Sequence, residues 1–250
     1  MFLQISAMSQ ALGHAVQVNV IVPQVAEGAT YKTLWLLHGL SDDHSAWMRY
    51  SSIERYAAQH GIAVVMPNAD RSWYTDTVCG ARYFTYITDE LPALLRGCLK
   101  GMSAAREDNL VAGLSMGGYG ALKLALTYPE RYDACIALSS AVDVNRKGRP
   151  CNMAEWQGIF GFDMTSPADL VGTEHDLFAL ADRCAQQGKC LPALHIWCGT
   201  EDFLIAENRN FHAHLEQLGL PHVYEESQGD HSWKWWDLHI EEGLRWVLQA

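Results

Sequence analysis

The stretch that most constrains this chain is Asp108-Asn109-Leu110-Val111-Ala112-Gly113-Leu114-Ser115-Met116-Gly117-Gly118-Tyr119-Gly120. The apolar run before Gly113 reads as a buried strand. The run Gly120-Ala121-Leu122-Lys123-Leu124-Ala125-Leu126 after it favours helix. A strand that turns into a helix within Gly-Leu-Ser-Met-Gly must turn very sharply. Such a turn puts Ser115 in a strained conformation with its hydroxyl exposed, and Gly113 and Gly117 let neighbouring backbone pass where a Cβ would clash. In a Gly- and Ser-rich chain the bare pattern is weak evidence. Its strand-to-helix context gives it force.

The rest of the chain repeats that rhythm. Val16, Val18, Val20 and Val22 alternate with Gln17, Asn19 and Ile21, a period-two strand ended by Pro23, with Phe2–Ser6 as its antiparallel neighbour. Thr33–Leu37, Ile62–Met66, Tyr132–Leu138, Ala193–Cys198 and His222–Glu226 read as further strands. Helices are expected over Ser52–Gln59, Phe84–Leu99 (restarting near Pro92), Glu174–Gln187, Phe203–Leu218 and Ser232–Leu248. Alternating strands and helices predict an α/β fold. It is a mainly parallel, doubly wound sheet with helices on both faces and the site at the strand carboxyl ends. At 250 residues the chain suits one domain, 1–250, and the irregular stretch 139–173 reads as a small insertion over the active-site end.

Composition removes several function classes. The formal net charge is −11 and no Lys/Arg cluster occurs, which argues against nucleic acid and anionic membrane as partners. No basic, apolar leader and no run of about 18 apolar residues is present, so a cytoplasmic protein is expected. The seven cysteines, Cys79, Cys98, Cys135, Cys151, Cys184, Cys190 and Cys198, form no Cys-x-x-Cys and are expected to be reduced. His212 and His214 lie two apart on a helix, so they face different ways; they read as solvent-facing residues, and no metal site is expected.

A serine hydroxyl becomes a nucleophile at neutral pH only beside a base that a carboxylate orients. Two strand ends after Ser115 supply these groups. Gly199-Thr200-Glu201-Asp202 follows one strand, Gly229-Asp230-His231-Ser232 follows the next, and adjacent strands lie about 5 Å apart. Asp202 is therefore the expected acid and His231 the expected base. Asp143 and Asp176 also follow Ser115 but not directly after a strand, Glu201 points elsewhere by its one-residue shift, and Asp230 reads as a turn former. Two N–H groups should face the oxyanion, those of Met116 and of Leu40 in His38-Gly39-Leu40. His38 is expected to brace that loop by hydrogen bonding. Trp47, Trp73, Tyr74 and Trp233 lie on expected site loops and could offer flat surfaces to an aryl or sugar leaving group.

Taken together, His38-Gly39-Leu40, Trp73-Tyr74-Thr75-Asp76, Asp89-Glu90-Leu91-Pro92, Gly113–Ala121, Gly199-Thr200-Glu201-Asp202-Phe203 and Asp230-His231-Ser232-Trp233 resemble the esterase D-like group of α/β-hydrolases. The nearest resemblance is to bacterial tributyrin esterases. S-formylglutathione hydrolases, feruloyl esterases and mycolyltransferases are more distant. The resemblance runs from about residue 16 onward. It implies a cofactor-independent serine carboxylesterase that prefers short acyl groups, with Ser115 as nucleophile, Asp202 as acid, His231 as base, and Leu40 and Met116 as oxyanion donors. Thiolester hydrolases of the group usually carry Thr-Cys after His-Gly-Leu. This chain has Ser41-Asp42, which weakens that branch. The rival readings are acyl transfer to an alcohol and a binding protein that kept the fold without the chemistry. The expected partner is a small-molecule ester, acetyl to butyryl, with acetylated sugars, aryl esters and hydroxycinnamates all open; so is a homo-oligomer. In the insertion, Asp143, Asn145, Arg146, Lys147, Gly148, Arg149 and Pro150 form a polar run. Trp156, Ile159, Phe160 and Phe162 are enough to wall a small pocket but not to cover a long groove.

Overall fold

A computed structural model describes residues 1–146 and 152–249 of the chain. Lys147, Gly148, Arg149, Pro150 and Cys151 of the insertion lie outside the described residues. The strands are β1 (Phe2–Ser9), β2 (His14–Ile21), β3 (Thr33–Leu37), β4 (Ala63–Pro67), β5 (Asn109–Leu114), β6 (Ala134–Leu138), β7 (Ala193–Gly199) and β8 (Val223–Ser227). They form one sheet in the order β1-β2-β4-β3-β5-β6-β7-β8. The β1–β2 and β2–β4 pairings are antiparallel, and all the others are parallel. The helices are α1 (Ala46–Tyr50), α2 (Ile53–His60), α3 (Tyr83–Thr85), α4 (Leu91–Cys98), α5 (Met116–Thr127), α6 (Met153–Phe160), α7 (Leu177–Gln186), α8 (Ile205–Gln217) and α9 (Trp233–Gln249).

The central strands are apolar on both faces because both faces are covered. In β3, Leu34 and Leu36 join the layer formed with α1, α2 and α9, where Trp47, Ile53, Ile240 and Leu244 sit. Trp35 and Leu37 point the other way, into the layer that holds α4, α5, α7 and α8. Helix α5 is buried at every position from Met116 to Leu126, so it runs through the centre of that layer. Among the described residues no helix is long and apolar enough to cross a membrane.

Local chemistry moves several boundaries from their expected places. The run 83–98 is one helical rod instead of a helix that restarts at Pro92. A π turn, Tyr86–Glu90, precedes the proline, and Leu91 N–H donates to the Tyr86 carbonyl five residues back. Pro92 has no N–H to offer the Thr88 carbonyl. Arg131 Nη1 donates to that carbonyl at 3.1 Å, which satisfies it. Helix α7 begins at Leu177, not Glu174, because Asp176 caps it by accepting from Phe178 N–H at 3.0 Å. His212 and His214 are half-buried instead of solvent-facing. His212 stacks on Tyr224 at 4.4 Å between ring centroids and meets His222 Nε2 at 2.7 Å, while His214 Nε2 lies 3.0 Å from Asp182.

Helix α5 also carries a buried lysine. Lys123 is 3% exposed; its Nζ donates to Thr75 Oγ1 at 2.7 Å and to the Tyr74 carbonyl at 3.4 Å. Burial pushes this ammonium down from 10.5 to about 7, against the pull of Glu174 and Asp76. The unfolded chain keeps the proton up to about pH 10.5 and the folded chain releases it near 7, so between those values the unfolded state binds more protons and stability rises with pH. The penalty of burying the charge is present in full below pH 7. Urea unfolding of wild type and Lys123→Met should show wild type gaining on the variant between pH 7 and 9.5, by on the order of 1–3 kcal/mol. A constant gap across that window would show that Lys123 is not held neutral in the folded protein.

Candidate active site

Ser115 occupies the turn between β5 and α5 with φ 53° and ψ −116°, in the left-handed half of conformational space that an L-residue rarely enters. The glycines around it are there because of close backbone approach. A Cβ on Gly113 would lie 2.2 Å from the Gly117 carbonyl oxygen, and one on Gly117 would lie 2.4 Å from that of Leu37. The turn is tied to β6 and the chain beyond it: Ser115 N–H donates to Leu138 O at 2.9 Å, and Ser115 O accepts from Ala141 N–H at 3.1 Å. The strain is therefore held by hydrogen bonds on both sides of the residue.

The histidine and the carboxylate meet this serine. His231 Nε2 lies 3.0 Å from Ser115 Oγ, and His231 Nδ1 lies 2.8 Å from Asp202 Oδ2. The carboxylate can only accept, so Nδ1 carries the proton and Nε2 is free to accept from the hydroxyl. Asp202 is 2% exposed, and its second oxygen accepts from Leu204 N–H at 2.8 Å, which fixes the carboxylate in its loop after β7. The imidazole is held laterally by the edge of Trp236, 4.9 Å away between centroids and nearly perpendicular. Trp236 Nε1 in turn donates to Ser139 Oγ at 3.0 Å.

The other acids serve elsewhere. Glu201 accepts from Gly229 N–H at 2.7 Å and from Thr200 Oγ1 at 2.8 Å, bracing the loop that carries His231. Asp176 caps α7 and also accepts from Gly172 N–H at 2.9 Å. The Asp143 N–H faces Glu207 Oε2 at 3.4 Å. Asp230 accepts from Ser232 Oγ, a local turn contact.

His38 is 1% exposed and holds its loop from two sides. Its Nδ1 donates to Gly39 O at 2.8 Å and its Nε2 accepts from Ala69 N–H at 2.9 Å. Burial pushes its pKa below the usual histidine value, in keeping with the neutral form those two bonds require. Tyr74 OH donates to the His38 carbonyl at 2.9 Å. The loop leans directly on the elbow: a Cβ on Gly39 would lie 2.8 Å from Leu114 Cδ1 and 3.7 Å from Ser115 Cβ. Leu40 follows Gly39 directly in this loop. Met116 is the first residue of α5, so its N–H has no acceptor one turn earlier in the helix.

The aromatic expectations need correction. Trp47, Trp73 and Tyr74 are 1%, 5% and 0% exposed, so they are packing residues and present no open face to a ligand. Trp47 donates from Nε1 to Leu37 O at 3.1 Å, Trp73 packs on Tyr119 and Trp156, and Tyr74 covers Gly120 and bonds His38. Each is amphipathic, and each found its polar partner or ring neighbour inside. Trp233 is half-buried, edge-on to Trp47 and beside Tyr50. The aromatic side chain that does stand open at the site is Phe203, 71% exposed, with its ring centroid 4.4 Å from that of His231. Its place directly after Asp202 was a readable signal for proximity to the site, though not for exposure.

This sheet and its strand-end site define an α/β-hydrolase. The sequence matches the family described as putative esterase over residues 9–247, and the chain belongs to that esterase family. It is 32% identical to an acetyl esterase of Caldicellulosiruptor saccharolyticus over 228 residues, which covers 88% of this chain and 84% of that protein. Among solved structures it resembles FphF, a fluorophosphonate-binding serine hydrolase of Staphylococcus aureus determined with substrate bound. The TM-score is 0.92 and the identity 35%, over 99% of this chain and 98% of that one. The apoenzyme of S-formylglutathione hydrolase (FrmB) from the same organism gives a TM-score of 0.89 at 34% identity, over 99% and 98% of the two chains.

Proposed function

We propose that this esterase-family hydrolase is a serine carboxylesterase of short acyl esters, acetyl to butyryl, that works through an acyl-enzyme. The observation that carries the reading is the unbroken relay from Asp202 through His231 to Ser115, with separations of 2.8 and 3.0 Å, at a strained elbow. In the first half-reaction Ser115 Oγ bonds to the ester carbonyl carbon as His231 Nε2 takes its proton. The carbonyl oxygen becomes an oxyanion, and we assign the N–H groups of Leu40 and Met116 as its donors. Collapse breaks the bond to the alcohol oxygen, and His231 hands that oxygen the proton. Water then attacks the acyl-serine with His231 again as base, and the acid leaves. Asp202 keeps the imidazole in the required tautomer throughout and stabilises the imidazolium. Nothing in this cycle asks for a metal or an organic cofactor, and we place it in the cytoplasm.

The short-acyl preference rests on the acetyl esterase relative and on the insertion. Trp156 and Ile159 of α6 are 3% and 7% exposed, packed inward, with Trp156 against Trp73 and Phe160. Among the described residues, the large apolar side chains of α6 are thus spent on internal packing, not on lining a long groove as in a lipase-like lid. Each methylene that finds no pocket should cost about 1–3 kcal/mol in the transition state. We expect kcat/KM for p-nitrophenyl acetate and butyrate to exceed that for octanoate by about a hundredfold, with no jump in the presence of detergent. A maximum at octanoate or palmitate, or activation at a lipid interface, would refute this account of the insertion. A second reading, thiolester hydrolysis, is favoured by the 34% identity to the Staphylococcus aureus S-formylglutathione hydrolase. Measuring S-formylglutathione beside p-nitrophenyl acetate decides between the two.

A further inference from the structure

We propose that Phe203 is a specificity-determining residue. Its exposed ring forms a wall for the alcohol portion of the ester and favours esters of aromatic alcohols over those of small aliphatic ones. The proposal rests on the assignment of Ser115, His231 and Asp202 made above. Single exposed apolar side chains are common on protein surfaces, so exposure by itself means little. The position of this one is what matters. Phe203 is 71% exposed, yet its ring lies against the His231 imidazole at 4.4 Å and 50°. The backbone on either side of it is fixed: the Asp202 carboxylate engages His231 Nδ1 at 2.8 Å and Leu204 N–H at 2.8 Å. The ring is thus presented at the site by an anchored turn, and its outer face is left uncovered.

The chemistry of the cycle says which part of a substrate passes it. The proton on His231 Nε2 goes to the leaving oxygen, so the alcohol portion departs from the reaction centre alongside the imidazole. The neighbour of the imidazole on the inner side is Trp236, 5% exposed and hydrogen-bonded through Nε1 to Ser139, so it is closed to a ligand. Phe203 is the open neighbour. A flat apolar alcohol stacked on it buries area on both partners and gains the edge or face contact that aromatic pairs prefer. A methyl or ethyl group is too small to reach across the ring.

Benzyl acetate and ethyl acetate test this, because they share the acyl group and have leaving groups of similar reactivity. Phe203→Ala should lower the ratio of kcat/KM for benzyl over ethyl acetate by about tenfold, with the loss in KM. Phe203→Tyr should restore most of that ratio, and the acid limb of the pH profile should superimpose on that of wild type. A uniform loss on both esters with a displaced pH profile would mean that Phe203 only supports the imidazole, and an unchanged ratio would mean that it is a bystander. Either result overturns the proposal. Failure of the wild-type enzyme to turn over both esters would instead strike the esterase reading itself, before any variant is compared.

Discussion

Ser115→Ala is expected to cut kcat for p-nitrophenyl acetate by roughly 10⁴- to 10⁶-fold while the protein unfolds at nearly its wild-type temperature. The catalytic half of this expectation follows from the relay. Without Oγ there is no nucleophile at 3.0 Å from His231 Nε2, and no other hydroxyl is bonded to that nitrogen among the described residues. The remaining rate would come from the oxyanion donors and from binding alone. The structural half follows from position. Ser115 is half-exposed at the tip of its turn, its backbone bonds to Leu138 and Ala141 do not involve the side chain, and alanine meets the same backbone strain at φ 53°. Ester turnover and a thermal melt on the same preparation check both halves. Retention of more than about a hundredth of wild-type kcat would remove Ser115 from the chemistry.

The carboxylate gives the second large effect. Asp202→Asn should lower kcat by up to about 10⁴-fold with little change in KM. The loss arises from tautomer choice rather than from charge alone. An asparagine amide can turn its NH₂ toward His231 Nδ1, which moves the ring proton to Nε2 and leaves nothing there to accept from Ser115. Asp176→Asn is the matched control. That carboxylate accepts N–H bonds from Phe178 at 3.0 Å and Gly172 at 2.9 Å; asparagine keeps one oxygen for the α7 cap and gives up the other bond, so stability changes little and kcat stays within twofold. The reverse ranking would move the acid into the region between β6 and β7.

The architecture and the core of the site were legible for a physical reason. A turn as tight as the one at Ser115 admits only glycine at Gly113 and Gly117, where a Cβ would sit 2.2 and 2.4 Å from a carbonyl oxygen, so the steric demand is written in the residues. Asp202 and His231 could be paired from the sequence because each comes shortly after a strand end, and β7 and β8 are neighbours in the sheet. The His38 role was readable too, since a histidine at a buried strand end must satisfy both ring nitrogens. Side-chain burial in the loops was harder to read. Trp47, Trp73, Tyr74 and Phe203 have the same aromatic character in sequence, and only tertiary packing decides that three are buried and the fourth stands open. The π turn before Pro92 was equally hidden, because it depends on Arg131, far along the chain, reaching back to the Thr88 carbonyl.

If Ser115 is the activated nucleophile of an acyl-transfer site, titration with a fluorophosphonate or other organophosphate, followed by peptide mapping, will reveal it. Such a reagent phosphonylates a serine only where a base removes its proton and donors hold the developing oxyanion. One equivalent of label is expected on Ser115, with loss of ester turnover in proportion to labelling and no label in Ser115→Ala. Absence of stoichiometric labelling in the wild-type protein, or a label on any other residue, would contradict that role for Ser115.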